Sequence, residues 1–258
     1  MKKENEAKSG YEGVGRFYDL FADNADIPFF LESAKKYGSP ILDIGAGTGR
    51  VSIALAQNGF AVVALEQSLS MLQVARDKLE SESQDVADRV TIIEGDMTKF
   101  DLDQKFPILI IPNSIGHAIT TVDQIATLQC IRNHLTDTGI FILDLYPGEM
   151  QYEHAVFKEN LVALPDGTTV ERHGEIRSDL LRKIMTVNLQ YIVRDNNQDF
   201  IEEVIVESPV ALLFNREVDL LVQVAGFEIE KELGVFDGSP YSSECGHRIL
   251  ILKKSNEE

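Results

Sequence analysis

Short apolar runs alternate with amphipathic helical patterns between residues 40 and 145. Five runs have the length and composition of strands: "PILDI", "AVVALE", "VTIIEGD", "ILIIPNS" and "GIFILDL". Between them, "RVSIALAQNG" ends on the stop signal Asn58–Gly59, "SLSMLQVARDKL" offers Ser68 as an N-cap, and "TTVDQIATLQCIRNHL" opens on a Thr121–Gln124 capping box. The second of these helices is expected to place one apolar stripe against the core: Leu69, Leu72, Ala75 and Leu79. This alternation predicts βαβ units, and hence a parallel sheet covered by helices on both faces.

The alternation of strands and helices stops near residue 147. Three following segments, "TTVERHGEIR", "LRKIMTVNLQYIV" and "FIEEVIVESPVALLF", alternate apolar and polar residues, with turn signals at Asp166–Gly167 and at residues 195–197. We therefore expect an antiparallel sheet inserted over residues 147–214. A helix at "REVDLLVQVAG" and strands at "FEIEKELGVF" and "HRILILKK" then resume the first pattern. The predicted fold is α/β: a doubly wound, seven-stranded Rossmann-like sheet built from residues 31–146 and 215–258, with an inserted antiparallel β-sheet.

Charge and cysteine content narrow the range of functions. The chain has 42 acidic and 24 basic side chains and a formal charge of −18, which disfavours a nucleic-acid partner because phosphate backbones are bound by lysine and arginine. Cys130 and Cys245 are too few and too dispersed for a disulfide framework or a CxxC metal site, so we expect no bound metal and a reduced, cytoplasmic setting. No apolar stretch approaches the length of a membrane span, and no membrane partner is expected.

The stretch "ILDIGAGTGR" places three glycines in the turn between the first strand and the first crossover helix. Backbone N–H groups at such a helix N-terminus can bind an anionic group. Dinucleotide-binding turns have the spacing G-x-G-x-x-G, whereas Gly45, Gly47 and Gly49 give G-x-G-x-G, with Asp43 before them. The spacing therefore disfavours the usual dinucleotide ligand. On its own it leaves open a turn that binds another ligand or none.

In this stretch the chain resembles motif I of the class I S-adenosylmethionine-dependent methyltransferases. The resemblance implies that the glycine turn approaches the methionine portion of the cofactor and that Asp43 lies near its ammonium group. It also implies that Glu66, at the end of the second strand, accepts hydrogen bonds from the ribose hydroxyls, and that Asp96 and Met97 hold the adenine. The complete implied cofactor set is Asp43, Gly45, Ala46, Gly47, Glu66, Gln67, Asp96, Met97 and Asn113. A solvated strand-end carboxylate at Glu66 and a turn-forming aspartate at Asp96 are the structural alternatives.

The candidate catalytic residues are Tyr18, Asn113 and His117. Asn113 ends the fourth strand, where the resemblance implies a polar contact beside the sulfonium. His117 is a candidate for orienting the acceptor or serving as general base, because imidazole titrates near neutral pH. "YEGVGRFYDLFAD" resembles an N-terminal lid, here residues 1–30, with Tyr11 or Tyr18 over the cofactor. An ordinary Pro-Asn-Ser turn, a structural histidine and packed aromatic rings are the alternatives.

A loop near the C-terminus, "GVFDGSPYSSECGHR", follows the sixth strand and is expected at the same edge of the sheet. Asp237, Ser239 and Tyr241 are its candidate substrate contacts, with a solvated turn as the alternative.

The inserted sheet, the lid and the segment "NSIGHAIT" are similar to small-molecule N-methyltransferases, including amino-sugar N,N-dimethyltransferases and glycine or sarcosine methyltransferases. This resemblance implies methyl transfer from S-adenosylmethionine to a small molecule, with an amine nitrogen as the preferred acceptor and oxygen as the alternative. A non-catalytic protein that binds S-adenosylmethionine and a nicotinamide oxidoreductase are further alternatives. The exposed edge of the inserted sheet makes a homodimer a possible assembly.

Overall fold

The computed structural model describes residues 8–9, 11–150 and 154–255. The first seven residues and Gly10 of the expected lid, residues 151–153 of the expected insertion and the last three residues of the chain lie outside the described residues.

Thirteen strands and seven helices make up the described chain. The strands are β1 (Lys8–Ser9), β2 (Ile41–Ile44), β3 (Val62–Glu66), β4 (Val90–Glu94), β5 (Phe106–Ile111), β6 (Leu135–Leu145), β7 (His154–Lys158), β8 (Val162–Ala163), β9 (Thr169–Asp179), β10 (Ile184–Arg194), β11 (Phe200–Ala211), β12 (Phe227–Leu233) and β13 (Arg248–Lys254). The helices are α1 (Gly15–Tyr18), α2 (Ile27–Tyr37), α3 (Arg50–Gln57), α4 (Leu69–Glu80), α5 (Gln84–Ala87), α6 (Thr121–His134) and α7 (Asn215–Val224). Short 3₁₀ turns follow α1, β5 and β6.

The first sheet has seven strands in the order β12-β13-β6-β5-β2-β3-β4. Its pairs β2–β3, β3–β4, β2–β5 and β5–β6 are parallel, and β13 runs antiparallel to both of its neighbours. The central strand β2 is buried along its whole length, as expected for a strand covered by helices on both faces. The α/β fold predicted from the sequence is confirmed.

The second sheet has six strands and lies between β6 and α7 in sequence, apart from β1. Strands β7, β9, β10 and β11 are antiparallel neighbours, and β8 also pairs with β9. The two-residue strand β1 pairs in parallel with β11, where Lys8 lies opposite Val206. The inserted sheet is therefore antiparallel as predicted, except for one strand contributed by the N-terminal segment.

Two details of the helix prediction are wrong. The capping box of α6 is formed by Thr120 and Asp123, since the Asp123 N–H donates to the Thr120 hydroxyl at 3.1 Å, and not by Thr121 and Gln124. In α4, the Ser68 side chain does cap the helix by accepting from the Met71 N–H. However, Leu69 is 57% exposed because it occupies the first turn of the helix, outside the apolar stripe that buries Leu72 and Ala75.

The two sheets have separate apolar cores. Both faces of the first sheet are packed, one mainly against α6 and α7 and the other against α2 and α3. A third cluster joins the second sheet to the lid, where Val14 and Phe17 pack with Tyr191 and Val206. Burial of these aromatic and aliphatic side chains holds the N-terminal segment on the sheet that follows it by more than a hundred residues.

Candidate active site

A cavity of about 480 Å³ opens at the carboxyl ends of β2, β3 and β5. This is the edge at which open α/β sheets bind ligands. The cavity is lined by the glycine turn, the strand ends, the lid and two residues of β11. The following predicted site residues line it: Tyr11, Tyr18, Asp43, Gly45, Ala46, Gly47, Glu66, Gln67, Met97, Asn113 and His117. Folding therefore brings together every residue of the predicted catalytic and cofactor sets except Asp96.

Two glycines of the turn are required for different reasons. Gly45 has φ +69°, and a Cβ there would lie 2.6 Å from the Cβ of Ser114. The close approach of the segment that follows β5 therefore excludes a side chain at Gly45. Gly47 has φ +58°, but a Cβ there would meet no atom within 4 Å. The space beside Gly47 belongs to the cavity, and it is the place where a ligand can approach the backbone.

Asp43 is the most deeply buried acid of the site, with 1% of its surface exposed. Its Oδ2 accepts a hydrogen bond from the Ser52 hydroxyl at 2.6 Å, whereas its Oδ1 is buried and has no partner among the described residues. Burial raises the pKa of this carboxyl from 3.8 to about 6, because the charged form is poorly solvated there. A buried carboxylate oxygen without a donor fits a cationic ligand group.

Glu66 connects the end of β3 to the glycine turn. Its Oε2 accepts from the Gly47 N–H at 2.8 Å, and its Oε1 accepts from the N–H groups of Gln67 and Ser68 at 2.9 and 2.7 Å. Each carboxylate oxygen can accept more than one hydrogen bond, so these contacts orient the group while leaving capacity for a ligand hydroxyl. They also engage the Gly47 N–H, which was expected to be available for an anionic group.

Asp96 is not among the residues that line the cavity, although its neighbours Gly95 and Met97 are. Its Oδ1 accepts from the Thr98 N–H and hydroxyl at 2.9 and 2.8 Å, and Lys99 lies 3.3 Å from Oδ2. The Thr98 hydrogen bonds and the Lys99 charge lower the pKa of Asp96 against the opposing effect of burial. The side chain therefore forms the turn that was the structural alternative, and its contact with adenine stays a prediction.

Asn113 and His117 extend the cavity beyond β5. Asn113 has φ +46°, a left-handed conformation that asparagine adopts more readily than most residues, and its N–H donates to the carbonyl of Asp144 at 3.1 Å. His117 ends a 3₁₀ turn and keeps part of its surface open to the cavity. The protein atoms around it disfavour the imidazolium and lower the pKa of His117, against a smaller opposing effect of Glu66.

Aromatic rings of the lid cover this end of the cavity. The Tyr11 ring meets the rings of Tyr18 and His117 edge-on, with centroids 5.5 and 5.6 Å apart. Burial raises the pKa of both tyrosines, so their hydroxyls stay protonated and can donate hydrogen bonds.

The lid is fixed to the glycine turn and to α4 by polar contacts. The Thr48 hydroxyl donates to Asp19 at 2.6 Å, and the Gly13 N–H donates to the Ser70 hydroxyl at 2.8 Å. A Cβ on Gly15 would lie 2.4 Å from the Ser70 carbonyl oxygen, so only glycine permits this approach of α1 to α4. The N-terminal segment is thus fixed beside the cavity, and its function as a lid stays a prediction.

The three residues expected from the C-terminal loop do not line the cavity. Asp237 accepts from the Ser239 N–H at 2.8 Å within its own turn, and the Tyr241 hydroxyl accepts from the Asn215 side chain at 3.0 Å. Asp237 and Ser239 therefore form a local turn, as in the structural alternative, and Tyr241 joins the loop to the start of α7.

The sequence interpretation missed several lining residues, among them Glu12, Arg50, Ser68, Ser114 and Ser208. Arg50, directly after the third glycine, forms a two-pronged ion pair with Asp26 at 2.6 Å, and its position in the motif is the one signal that could have identified it. No local pattern distinguishes Ser208, because its role depends on where β11 crosses the first sheet.

A buried acid and a histidine were also missed at the end of β6. Asp144 Oδ1 lies 3.1 Å from Nδ1 of His247, the residue before β13, and the His247 ring lies 4.4 Å from that of Tyr146. Burial raises the pKa of Asp144, partly offset by His247. Since Asn113 donates to the Asp144 carbonyl, this pair supports the backbone beside the cavity.

Comparison with known proteins gives one domain match and related chains. Residues 41–139 match the family described as a methyltransferase domain. The chain is 29% identical over 174 residues to the putative methyltransferase YqeM of Bacillus subtilis (strain 168), covering 64% of each chain, which is less than two thirds of that relative. It is 26% identical over 222 residues to the cypemycin N-terminal methyltransferase of a Streptomyces species, covering 84% of each.

Among solved structures, the sugar N-methyltransferase KedS8 from Streptoalloteichus sp ATCC 53650 superimposes with a TM-score of 0.74 over 98% of this chain and 99% of that chain. At 20% sequence identity, this superposition shows a shared fold alone.

The sheet order with one reversed strand, the glycine turn and the cavity at the strand ends define a class I methyltransferase fold. Residues 41–139 are thus a methyltransferase domain, and the fold is shared with S-adenosylmethionine-dependent methyltransferases of known structure. The predicted enzyme class and cofactor are confirmed, and the domain match sets the oxidoreductase alternative aside.

The residues fit this cofactor. The unpaired Asp43 Oδ1 suits an ammonium group, the space beside Gly47 admits a ligand against the backbone, and Glu66 retains acceptor capacity for hydroxyls. Within residues 8–9, 11–150 and 154–255, no helix is long and apolar enough to cross a membrane, and no cluster of three or more metal-binding side chains occurs.

Proposed function

We propose that the protein transfers a methyl group from S-adenosylmethionine to an amine nitrogen of a small molecule. The single observation that carries this proposal is the side of the cavity formed by Tyr18, Asn113 and His117, which adjoins the pocket that fits the cofactor. A protein that only binds the cofactor has no need of a neutral histidine and a lid tyrosine beside the position of the methyl group.

The cofactor supplies an electrophilic methyl group on a sulfonium. Asp43 and Glu66 would orient it, and Tyr11 and Tyr18, which line the same cavity, would help to exclude water. Asn113, held in its left-handed conformation by the hydrogen bond to Asp144, presents polar atoms towards the acceptor. The main contribution to rate is the alignment of the acceptor lone pair with the methyl group.

His117 is the proposed proton acceptor. An amine attacks only in its neutral form, and a neutral imidazole nitrogen can take the proton that an ammonium acceptor must lose. His117 is exposed at the cavity, and the protein atoms around it lower its pKa, which favours the neutral ring. The same property suits it less for oxygen acceptors, since an alcohol has to be deprotonated against a much higher pKa.

The names of two similar proteins support a nitrogen acceptor. Cypemycin N-terminal methyltransferase and the sugar N-methyltransferase KedS8 are both named for nitrogen methylation. The acidic charge and the cavity volume of about 480 Å³ favour a small molecule over a nucleic acid. We further propose residues 1–30 as the lid and residues 147–214 as the cover of the acceptor, on a core of residues 31–146 and 215–258.

Labelled S-adenosylmethionine tests the proposal. The protein is incubated with separate sets of small primary amines, alcohols and carboxylic acids, and the methylated products are identified by mass spectrometry and by the chemical shift of the labelled methyl carbon. We expect products from the amine set only, and a strong loss of product with His117→Ala. Methylation confined to the alcohols would establish the O-methylation alternative, and no product from any set would contradict the proposal.

A further inference from the structure

Ser208 is a buried hydroxyl on the inserted sheet that lacks a hydrogen-bond partner. Its residue is 1% exposed, its Oγ has no partner among the described residues, and the residue lines the cavity. A buried hydroxyl without a partner lowers stability, because it has lost its hydrogen bonds to water and gained none in return. The Ser208 hydroxyl therefore has the capacity to bind a polar group of a ligand.

The pleat of β11 shows which way this hydroxyl faces. Side chains alternate along a strand, so Val206, Ser208 and Val210 share one face, and Glu207 between them is exposed. On that face, Val206 packs with the lid, and the Cγ1 of Val210 would lie 2.6 Å from a Cβ on Gly116. Ser208 thus lies between the lid and the turn that carries His117.

Its neighbours on the cavity wall belong to the acceptor side of the proposed reaction. Ser208 and Pro209 line the same cavity as Tyr11, Tyr18 and His117. Asp43 and Glu66, where the cofactor is expected, belong instead to β2 and β3 of the first sheet. A polar ligand atom close to β11 would therefore belong to the acceptor.

We propose that the Ser208 hydroxyl binds a second polar group of the acceptor, one placed next to the nucleophilic nitrogen. This rests on the proposed function and narrows the substrate class to small amines with a neighbouring hydroxyl or comparable hydrogen-bonding group. The nitrogen faces Asn113 and His117, and the neighbouring group faces the inserted sheet. Ser208 is thereby a specificity-determining residue, since an amine without that group leaves the buried hydroxyl unpaired in the complex as well.

Thr169 offers a matched control. It lies on β9 of the same sheet, is 7% exposed, and its Oγ1 is also buried without a partner, but it does not line the cavity. Thr169→Val and Ser208→Ala therefore each remove one buried, unpaired hydroxyl, and only the second removes it from the cavity wall.

The test uses the full chain saturated with S-adenosylhomocysteine. Calorimetry measures the binding of two pairs of amines that differ by one neighbouring hydroxyl: 2-aminocyclohexanol with cyclohexylamine, and 2-aminocyclopentanol with cyclopentylamine. We expect the wild-type protein and Thr169→Val to bind the hydroxylated member about tenfold more tightly, the effect of one hydrogen bond, and Ser208→Ala to lose this preference. The affinity for S-adenosylhomocysteine should be the same in all three proteins.

Several results would overturn the assignment. These are equal binding of both members of each pair by the wild-type protein, an unchanged preference in Ser208→Ala, no binding of any hydroxylated amine, or a loss of S-adenosylhomocysteine affinity in Ser208→Ala. A lower melting temperature of unliganded Ser208→Ala with unchanged affinities would make the hydroxyl structural. Because binding is measured without turnover, a preference abolished by Ser208→Ala stands even where the methyl group goes to oxygen, which would contradict the proposed function alone.

Discussion

Ionisation of Asp43 should lower the free energy of unfolding of the unliganded protein and raise its affinity for the cofactor. The perturbation is a change of pH across the raised pKa of Asp43, with Asp43→Asn as the reference that cannot ionise. The carboxyl is buried, accepts one hydrogen bond from Ser52 and leaves Oδ1 unpaired. An ammonium group of the ligand would supply the missing partner only to the ionised form.

The magnitude follows from the pKa, which rises from 3.8 to about 6 on folding. Each pKa unit corresponds to about 1.4 kcal/mol, so the ionised group destabilises the unliganded protein by about 3 kcal/mol. Since the folded-state pKa is raised, this cost is absent below the unfolded-state pKa, grows as the pH rises between the two values, and is constant above about pH 6. Cofactor affinity has the opposite dependence: one pH unit below the folded-state pKa, the apparent Kd should be about tenfold higher than at neutral pH.

Two measurements check this reasoning. Urea unfolding of the unliganded wild-type protein and of Asp43→Asn, over a range from acid to neutral pH, gives the difference in the free energy of unfolding. Calorimetric titration with S-adenosylhomocysteine gives the affinity over the same range. We expect the wild type to lose stability relative to Asp43→Asn as the pH rises, and its affinity to increase, while the affinity of Asp43→Asn is low and nearly independent of pH. A wild-type affinity that does not change with pH would refute the proposed pairing of Asp43 with the ammonium group.

Three further predictions concern the cofactor turn and the acceptor side. Gly47→Ala and the control Gly59→Ala should each lose about 1–2 kcal/mol of stability in thermal or urea unfolding, because both positions have positive φ and free space for a Cβ. Only Gly47→Ala should also lose cofactor affinity. Equal cofactor affinities of the two variants would refute the placement of the ligand beside Gly47. Glu66→Gln should weaken cofactor binding by about 1–3 kcal/mol in calorimetry, and an unchanged Kd would remove its role with the ribose. His117→Ala should lower turnover by about 10²-fold at saturating cofactor without changing cofactor affinity. The rate of the wild-type enzyme should fall only below the usual histidine pKa, since the pKa of His117 is lowered. Wild-type turnover in the variant would show that the residue is structural.

The fold was predictable because its signals are local and periodic. Each strand from β2 to β6 is a short apolar run next to a helical pattern, and the turn signals at Asp166–Gly167 and residues 195–197 marked two hairpins of the inserted sheet. The pairing of β1 with β11 was not predictable, since two residues carry no strand period and their partner is distant in the sequence. The capping box was misassigned by one residue because Thr120 and Thr121 are equivalent in sequence, and only the position of Asp123 in the structure decides between them.

The residues of the candidate site also fall into some that the sequence predicts and others that it does not. Asp43, the glycines and Glu66 follow strand ends within one motif, so the sequence alone indicated that they converge. Asp237, Ser239 and Tyr241 also follow a strand end, but the loop folds onto itself and onto α7 instead of into the cavity. Ser208 could not be identified, because its sequence neighbours Glu207 and Pro209 give it no pattern of its own, and its position beside the cavity depends on how the second sheet lies relative to the first.

A crystal structure of the protein with S-adenosylmethionine would show whether the cofactor binds between the ends of β2, β3 and β5. We expect the ammonium group within hydrogen-bonding distance of Asp43 Oδ1, the ribose hydroxyls at Glu66, and the transferable methyl group facing Asn113, His117 and the Tyr18 ring. A cofactor bound outside this cavity, or one whose methyl group points away from His117 and the inserted sheet, would contradict this expectation.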